Sequence, residues 1–143
     1  MKRILALALV LVSTLFVAGT SSAQEHQVKA FVPFGFTVGD FTVPAGTYTI
    51  DSAANSPDVL VLTNWDKGAK VTITGRANQG NPQRISALVF HHYGDQYFLS
   101  QIRSEGASIN VDLSVTKAEK KAWGQFTVAG RVVNDPVLIA LNR

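Results

Sequence analysis

The chain contains no cysteine among its 143 residues. This absence excludes disulfide bonds, thiol catalysis, Cys-ligated zinc and iron–sulfur chemistry. Small exported domains often depend on disulfide bonds for stability. An exported form of this chain must therefore be stabilised by its hydrophobic core alone.

Charge is also scarce, because only 16% of the residues are charged. The chain carries 13 basic and 10 acidic residues, and two of the basic residues are Lys2 and Arg3. Without those two, 11 basic residues face 10 acidic ones, so the net charge is +1. A nearly neutral domain gives no reason to expect a polyanionic partner such as nucleic acid.

The first residues have the three parts of a secretory signal peptide. Lys2 and Arg3 form the basic start, and residues 4–17 form an apolar run. Small residues, Ser21 and Ala23, occupy the positions that signal peptidase recognises. The apolar run is shorter than the ~20 residues of a membrane-spanning helix. We therefore predict cleavage after Ala23.

Cleavage at that point leaves a single domain. Removing residues 1–23 leaves 120 residues, 24–143. A chain of this size buries roughly 65% of its unfolded surface. We expect an exported protein, periplasmic or extracellular, with no membrane span after cleavage.

The most patterned segment is VPFGFTVGDFTVPAGTYTI, residues 32–50. Gly39-Asp40 is typical of a two-residue hairpin turn, with glycine supplying the positive φ angle. This turn pairs Val38 with Phe41, so that one side of the hairpin is apolar and the other side is polar. The predicted apolar face carries Phe34, Phe36, Val38, Phe41 and Val43. The pattern predicts a half-buried antiparallel hairpin, which needs no ligand to explain it.

Similar alternation recurs along the chain, with a turn every 8–12 residues. The predicted strands cover residues 47–50, 59–63, 69–74, 85–93, 97–102, 109–115, 126–133 and 137–141. This pattern predicts an all-β fold, an antiparallel β-sandwich or small barrel of about 8–10 short strands. Thr116 and Glu119 have the spacing of a capping box and predict one short helix over residues 117–123, ended by Gly124.

Three motifs, PFGFTVGD, VPAGTYTI and LVFHHYGDQYFLSQI, together resemble a family of small signal-peptide-bearing proteins from acidobacterial genomes. The resemblance covers residues 28–122. It implies the fold class but no activity, because the family has none assigned. The last twenty residues depart from the family pattern, since they predict a strand pair in place of a variable tail.

The sequence lacks the motifs of common enzymes. No Gly-x-Ser-x-Gly and no glycine-rich phosphate loop is present. His91 and His92 are adjacent on a predicted strand and so point to opposite faces, while His26 lies near the new N-terminus. We therefore predict a non-enzyme with no metal and no cofactor. A hydrolase and a small outer-membrane barrel are disfavoured, the latter because most strands are shorter than the ~9–11 residues that crossing requires.

The hairpin around Gly94-Asp95 is apolar on both faces. The turn pairs Phe90 with Leu99 and, with regular pairing, Ala87 with Ile102. A strand pair with two apolar faces must be covered twice. In one alternative, a second sheet covers one face and the helix or the C-terminal hairpin covers the other. In the second alternative, one face stays open as a binding site.

An open face at this hairpin predicts a binding or scaffolding module of the cell envelope. Its contact surface consists of Phe90, His92, Tyr97 and Leu99. Its partner is then an unidentified envelope protein or an apolar ligand. Burial of both Phe90 and Phe98 within the monomer removes this prediction.

The alternative prediction is a carbohydrate-binding module. Trp65, Tyr93 and Tyr97 all lie at predicted strand ends, where aromatic rings either stack on sugars or close the core. Sugar binding requires that these three rings be exposed and coplanar.

Overall fold

The computed structural model describes residues 27–53, 56–78, 85–105, 109–131 and 135–142. The predicted signal peptide and His26 lie outside the described residues. Eleven strands and one helix are present in the described ranges: β1 Gln27–Val32, β2 Phe36–Val38, β3 Phe41–Val43, β4 Gly46–Ala53, β5 Ser56–Asn64, β6 Ala69–Thr74, β7 Arg76–Ala77, β8 Ala87–Tyr93, β9 Gln96–Arg103, β10 Val111–Asp112, α1 Lys117–Val128 and β11 Val137–Ala140.

The strands form two sheets, which confirms the predicted all-β sandwich or barrel. The first sheet is antiparallel, in the order β1-β4-β5-β6. The second sheet has the order β11-β8-β9-β10-β7, and the β2–β3 hairpin joins it because β2 pairs in parallel with β9. The inward faces of both sheets meet in one hydrophobic core. Its largest fully buried side chains include Tyr48, Phe36, Phe90, Ile50, Leu60, Leu62, Leu88 and Ile102.

The first sheet passes directly into the second at Gly75. This residue separates β6 from β7, and its amide donates to the carbonyl of Asp58 at 2.8 Å. A Cβ atom at Gly75 would lie 2.1 Å from Val111 Cγ1. Only glycine therefore permits the close approach of β10 at this corner.

The opening hairpin has the predicted register, with Phe36 opposite Val43 and Val38 opposite Phe41. Gly39 has a φ of 58°, as the turn requires. One prediction is wrong: Phe41 is 54% exposed and does not share the buried face. The reason is its position, because β3 pairs with β2 alone and forms the outer strand of this hairpin.

The helix begins as predicted, but it is longer. The Thr116 side chain accepts a hydrogen bond from the Glu119 amide at 3.2 Å. Gly124 does not end α1, because Ala122 and Phe126, four residues apart, both bury against the fold. That burial outweighs the ~1 kcal/mol that a glycine costs inside a helix.

The predicted strand over residues 126–133 is therefore wrong. Residues up to Val128 are helical, and residues 132–134 lie outside the described ranges. β11 pairs antiparallel with β8 instead. The predicted strand over residues 109–115 shortens to β10, and residues 106–108 are not described.

The β8–β9 hairpin keeps its predicted pairing near the turn, with Phe90 opposite Leu99. A bulge between Val89 and Phe90 then shifts the register. Ala87 consequently pairs with Arg103, so the predicted pairing of Ala87 with Ile102 is wrong. The shift turns Ile102 into the core, where it is 1% exposed.

Candidate functional site

The β8–β9 hairpin is covered on both faces within the monomer. Phe90 is 0% exposed and Leu99 is 4% exposed, both in the core between the sheets. Phe98, on the opposite face, is also 4% exposed, on the side of Tyr93 and α1. Phe90 and Leu99 of the predicted binding face are therefore not accessible to a partner. The other alternative, in which both faces of the hairpin are covered within the monomer, is the one observed.

The other two residues of that predicted face are half-buried. The Tyr97 ring stacks on the Phe34 ring with a centroid distance of 3.9 Å and an interplanar angle of 16°. The His92 ring stacks on Tyr97 with a centroid distance of 5.6 Å. Phe34 also meets Phe90 edge to face. Through these ring contacts, His92 and Tyr97 pack against the end of the hydrophobic core.

The three aromatic residues predicted for sugar stacking do not form one platform. Tyr93 pairs with Gln96 and Tyr97 pairs with His92, so the two tyrosines point to opposite faces of the second sheet. Tyr93 packs beside Phe126 of α1, with a centroid distance of 6.2 Å. Trp65 lies at the end of β5 in the first sheet. The predicted sugar site of three coplanar rings is therefore wrong, because Tyr93 and Tyr97 point to opposite faces of one sheet and Trp65 belongs to the other sheet. Any sugar site at Trp65 must use other residues than the two tyrosines.

Trp65 remains as an exposed aromatic residue, with 74% of its surface accessible. It belongs to the turn between β5 and β6, and side chains on either side of it hold that turn. Asn64 Oδ1 accepts from the Lys67 amide at 3.0 Å, and Asp66 Oδ2 accepts from the Thr47 amide at 3.0 Å. These two bonds fix the backbone that carries the indole.

The indole itself is also oriented. Trp65 Nε1 donates to Thr49 Oγ1 at 3.1 Å, across the neighbouring strand β4. Thr49 faces outward from the first sheet, yet it is only 3% exposed. The indole contributes to the cover of Thr49 through this hydrogen bond, beside the neighbouring outward-facing residues Lys29 and Thr63. The ring is therefore held against the sheet while most of its surface stays in water, and little side-chain entropy remains to be lost on binding.

An open groove of about 560 Å³ lies beside Trp65 on the outer face of the first sheet. Its outward-facing lining comes from the neighbouring strands β4, β5 and β6. Asp51 of β4 pairs with Val61 of β5, and Thr63 of β5 pairs with Lys70 of β6. Asp51 Oδ1 accepts from Gln27 Nε2 at 2.9 Å, which fixes the carboxylate. A carboxylate, a hydroxyl and an ammonium group thus surround one exposed aromatic ring.

The same outer face carries a second exposed aromatic residue. Phe31 of β1 is 62% exposed and lies opposite Thr47 of β4. Because Tyr48 pairs with Asn64, the next position places Trp65 on the other side of Thr47. Two strand spacings therefore separate Phe31 from Trp65, about 10 Å between their backbones. The outer face around these two residues is called the Trp65 face below.

Most of the Trp65 face was not predicted from the sequence. Trp65 was a candidate residue, whereas Phe31, Thr49, Asp51 and Lys70 were not. The signal for Phe31 was the alternation in β1, where Val28, Ala30 and Val32 are buried and the residues between them are exposed.

Within the described part of the chain, no three His, Asp or Glu side chains lie close enough together to hold a metal ion. In those same ranges, no helix combines the length and the apolar character that crossing a bilayer requires. Comparisons of the chain with family models, with curated proteins and with solved structures find no match. The family resemblance of the sequence therefore stays a prediction.

Proposed function

We propose that this protein is an exported, non-catalytic carbohydrate-binding module of the cell envelope, and that it binds sugar on the Trp65 face. The observation that carries the proposal is the exposed, oriented indole of Trp65 beside an open groove whose lining includes a carboxylate, a hydroxyl and an ammonium group. Export rests on the signal-peptide pattern of residues 1–23.

The chemistry of the Trp65 face favours sugar over the other ligands considered from the sequence. A pyranose ring presents C–H groups on one face and hydroxyl groups around its edge. The indole of Trp65 suits the C–H face, while Asp51 can accept from hydroxyl groups and Lys70 can donate to them. An apolar ligand would stay half in water in a groove this open.

The position of Phe31 favours a chain of sugars over a single one. Its ring lies on the same face as Trp65 and about 10 Å away along the direction across the strands. One sugar unit spans about half of that separation, so the two stacking points fit alternate units of an oligosaccharide lying across β1, β4 and β5. We expect longer oligosaccharides to bind more tightly than monosaccharides.

The test is a binding assay on the domain of residues 24–143. The wild-type domain is incubated with insoluble polysaccharides, including cellulose, chitin and peptidoglycan, and then titrated calorimetrically with soluble fragments of any that retain it. Trp65→Ala should weaken binding at least about fivefold, because a stacked aromatic residue is worth about 1–3 kcal/mol.

Trp123→Ala is the matched control, because Trp123 is a comparably exposed tryptophan on α1, 51% accessible. It should bind sugar like the wild type. Equal affinity of the Trp65→Ala variant and the wild type contradicts the proposal, and so does the failure of the wild type to bind any polysaccharide of the panel.

A further inference from the structure

A second cavity, of about 290 Å³, lies between the outer face of the second sheet and the start of α1. It shares no residue with the Trp65 face and will be called the helix cavity. Its lining residues are His91, Tyr93, Val115, Glu119, Lys120 and Trp123.

The helix cavity has a buried carboxylate in its wall. Glu119 is 4% exposed, and its Oε1 atom lies 2.7 Å from His91 Nδ1. The same oxygen accepts from the Tyr93 hydroxyl at 3.3 Å. Because a carboxylate oxygen can only accept, Nδ1 of His91 carries a hydrogen atom, and Nε2 is an acceptor in the neutral ring.

Glu119 also keeps the Tyr93 hydroxyl in its donor form. Burial raises the pKa of Tyr93 above its usual value, and the charge and the hydrogen bond of Glu119 raise it further. Both polar side chains beside the carboxylate therefore donate to it.

The second carboxylate oxygen is left without a donor. Both side-chain hydrogen bonds of Glu119 use Oε1, and within the described ranges no residue donates to Oε2. Oε2 is not among the buried polar atoms that lack a partner, so it is open to the cavity. A ligand with a hydrogen-bond donor and a positive charge can therefore reach this oxygen and form a charge-assisted hydrogen bond.

Two other lining residues of the helix cavity, Val115 and Trp123, are apolar. Val115 is 50% exposed and Trp123 is 51% exposed, although both are large apolar residues. An apolar group can cover them, and a cation next to the rings of Trp123 and Tyr93 gains cation–π attraction. The volume lies at the lower end of the range for ligand pockets, about 300–1,000 Å³, so the ligand must be small.

We propose that the helix cavity binds a small organic ammonium ion with an apolar substituent. The ammonium group donates to Glu119 Oε2, and the substituent packs against Trp123 and Val115. Lys120 lies at the same cavity and opposes a cation, but it is exposed to solvent, which screens its charge.

The test uses 2-phenylethylamine as the probe and the fluorescence of Trp123 as the signal. The chain has two tryptophans, so a Trp65→Phe background makes Trp123 the sole indole reporter. The expected result is saturable binding of the amine. N-acetylated 2-phenylethylamine and 3-phenylpropionate, which lack the positive charge, should bind at least about tenfold more weakly.

Three variants in the Trp65→Phe background test the contacts. Glu119→Gln keeps the shape and should weaken amine binding at least about tenfold. Val115→Lys replaces the exposed apolar wall that packs against the substituent by a long polar side chain, and should weaken amine binding even if Glu119→Gln fails to fold. Lys120→Ala should leave the affinity unchanged or increase it slightly.

Equal binding of the amine and its acetylated form overturns the proposal. So does an unchanged affinity in folded Val115→Lys, or a clear loss of affinity in Lys120→Ala. Polysaccharide binding by the otherwise wild-type domain is independent of these outcomes, so a failure here leaves the function proposed for the Trp65 face intact.

Discussion

Replacing Phe90 by alanine tests whether the β8–β9 hairpin belongs to the core. Phe90 is 0% exposed and meets two rings edge to face, Phe34 at a centroid distance of 5.3 Å and Phe36 at 5.1 Å. Removing a buried phenylalanine costs about 3–5 kcal/mol. The two lost ring contacts, worth about 0.5–1.5 kcal/mol each, favour the upper half of that range. We expect a loss of about 4 kcal/mol in the free energy of unfolding.

The assay is urea unfolding of the domain of residues 24–143, followed by circular dichroism. Phe41→Ala is the matched control, because Phe41 is the same residue type but is 54% exposed. It should cost about 1 kcal/mol or less, with an unchanged dependence on urea. Equal losses in the two variants, or a loss below about 1 kcal/mol for Phe90→Ala, refute the assignment of this hairpin to the core.

Three further predictions concern the backbone, the helix cap and pH. Gly46→Ala should destabilise the domain by about 1–3 kcal/mol, because the residue has a φ of 152° and its new Cβ would lie 2.7 Å from Asn64 Nδ2. Gly68→Ala, whose new Cβ would meet nothing within 4 Å, should cost less in the same urea assay. Thr116→Ala should cost about 1 kcal/mol through the lost cap, with Thr116→Ser close to wild type in thermal unfolding. Burial and a neighbouring carboxylate raise the pKa of Tyr93 above 10.0, so its contribution to stability is fully present below pH 10.0 and is lost as the pH rises through the raised value. Tyr93→Phe should lose less stability over that alkaline range, and identical profiles would contradict this reasoning.

The sequence determined those features that depend on neighbouring residues alone. The turns at Gly39-Asp40 and Gly94-Asp95 set the pairing beside them, since turn type and loop length fix the register of a hairpin. The sequence also predicted the start of α1, because the capping hydrogen bond from the Glu119 amide to Thr116 joins residues only three apart. Fold class followed from these turns and from the alternation between them.

Features that depend on packing were decided by the tertiary structure. Local pattern favoured a helix end at Gly124, but Phe126, two residues further on in α1, is buried against the fold and extends the helix. Regular pairing favoured Ala87 opposite Ile102, but the bulge beside Val89 moves Ile102 into the core. In each case a contact between residues distant in the chain outweighs a local preference of about 1 kcal/mol.

The candidate site was also predicted only in part from the sequence, and the rest depends on the tertiary structure. Trp65 was a candidate from the sequence, because its place before a turn is a local property. The exposure of its ring could not be predicted from the sequence, since an aromatic residue at a strand end can equally close the core. Phe31, Thr49 and Asp51 join it only because β1, β4 and β5 lie side by side in the first sheet. Strand order brings together residues far apart in the chain, and no local pattern encodes that order.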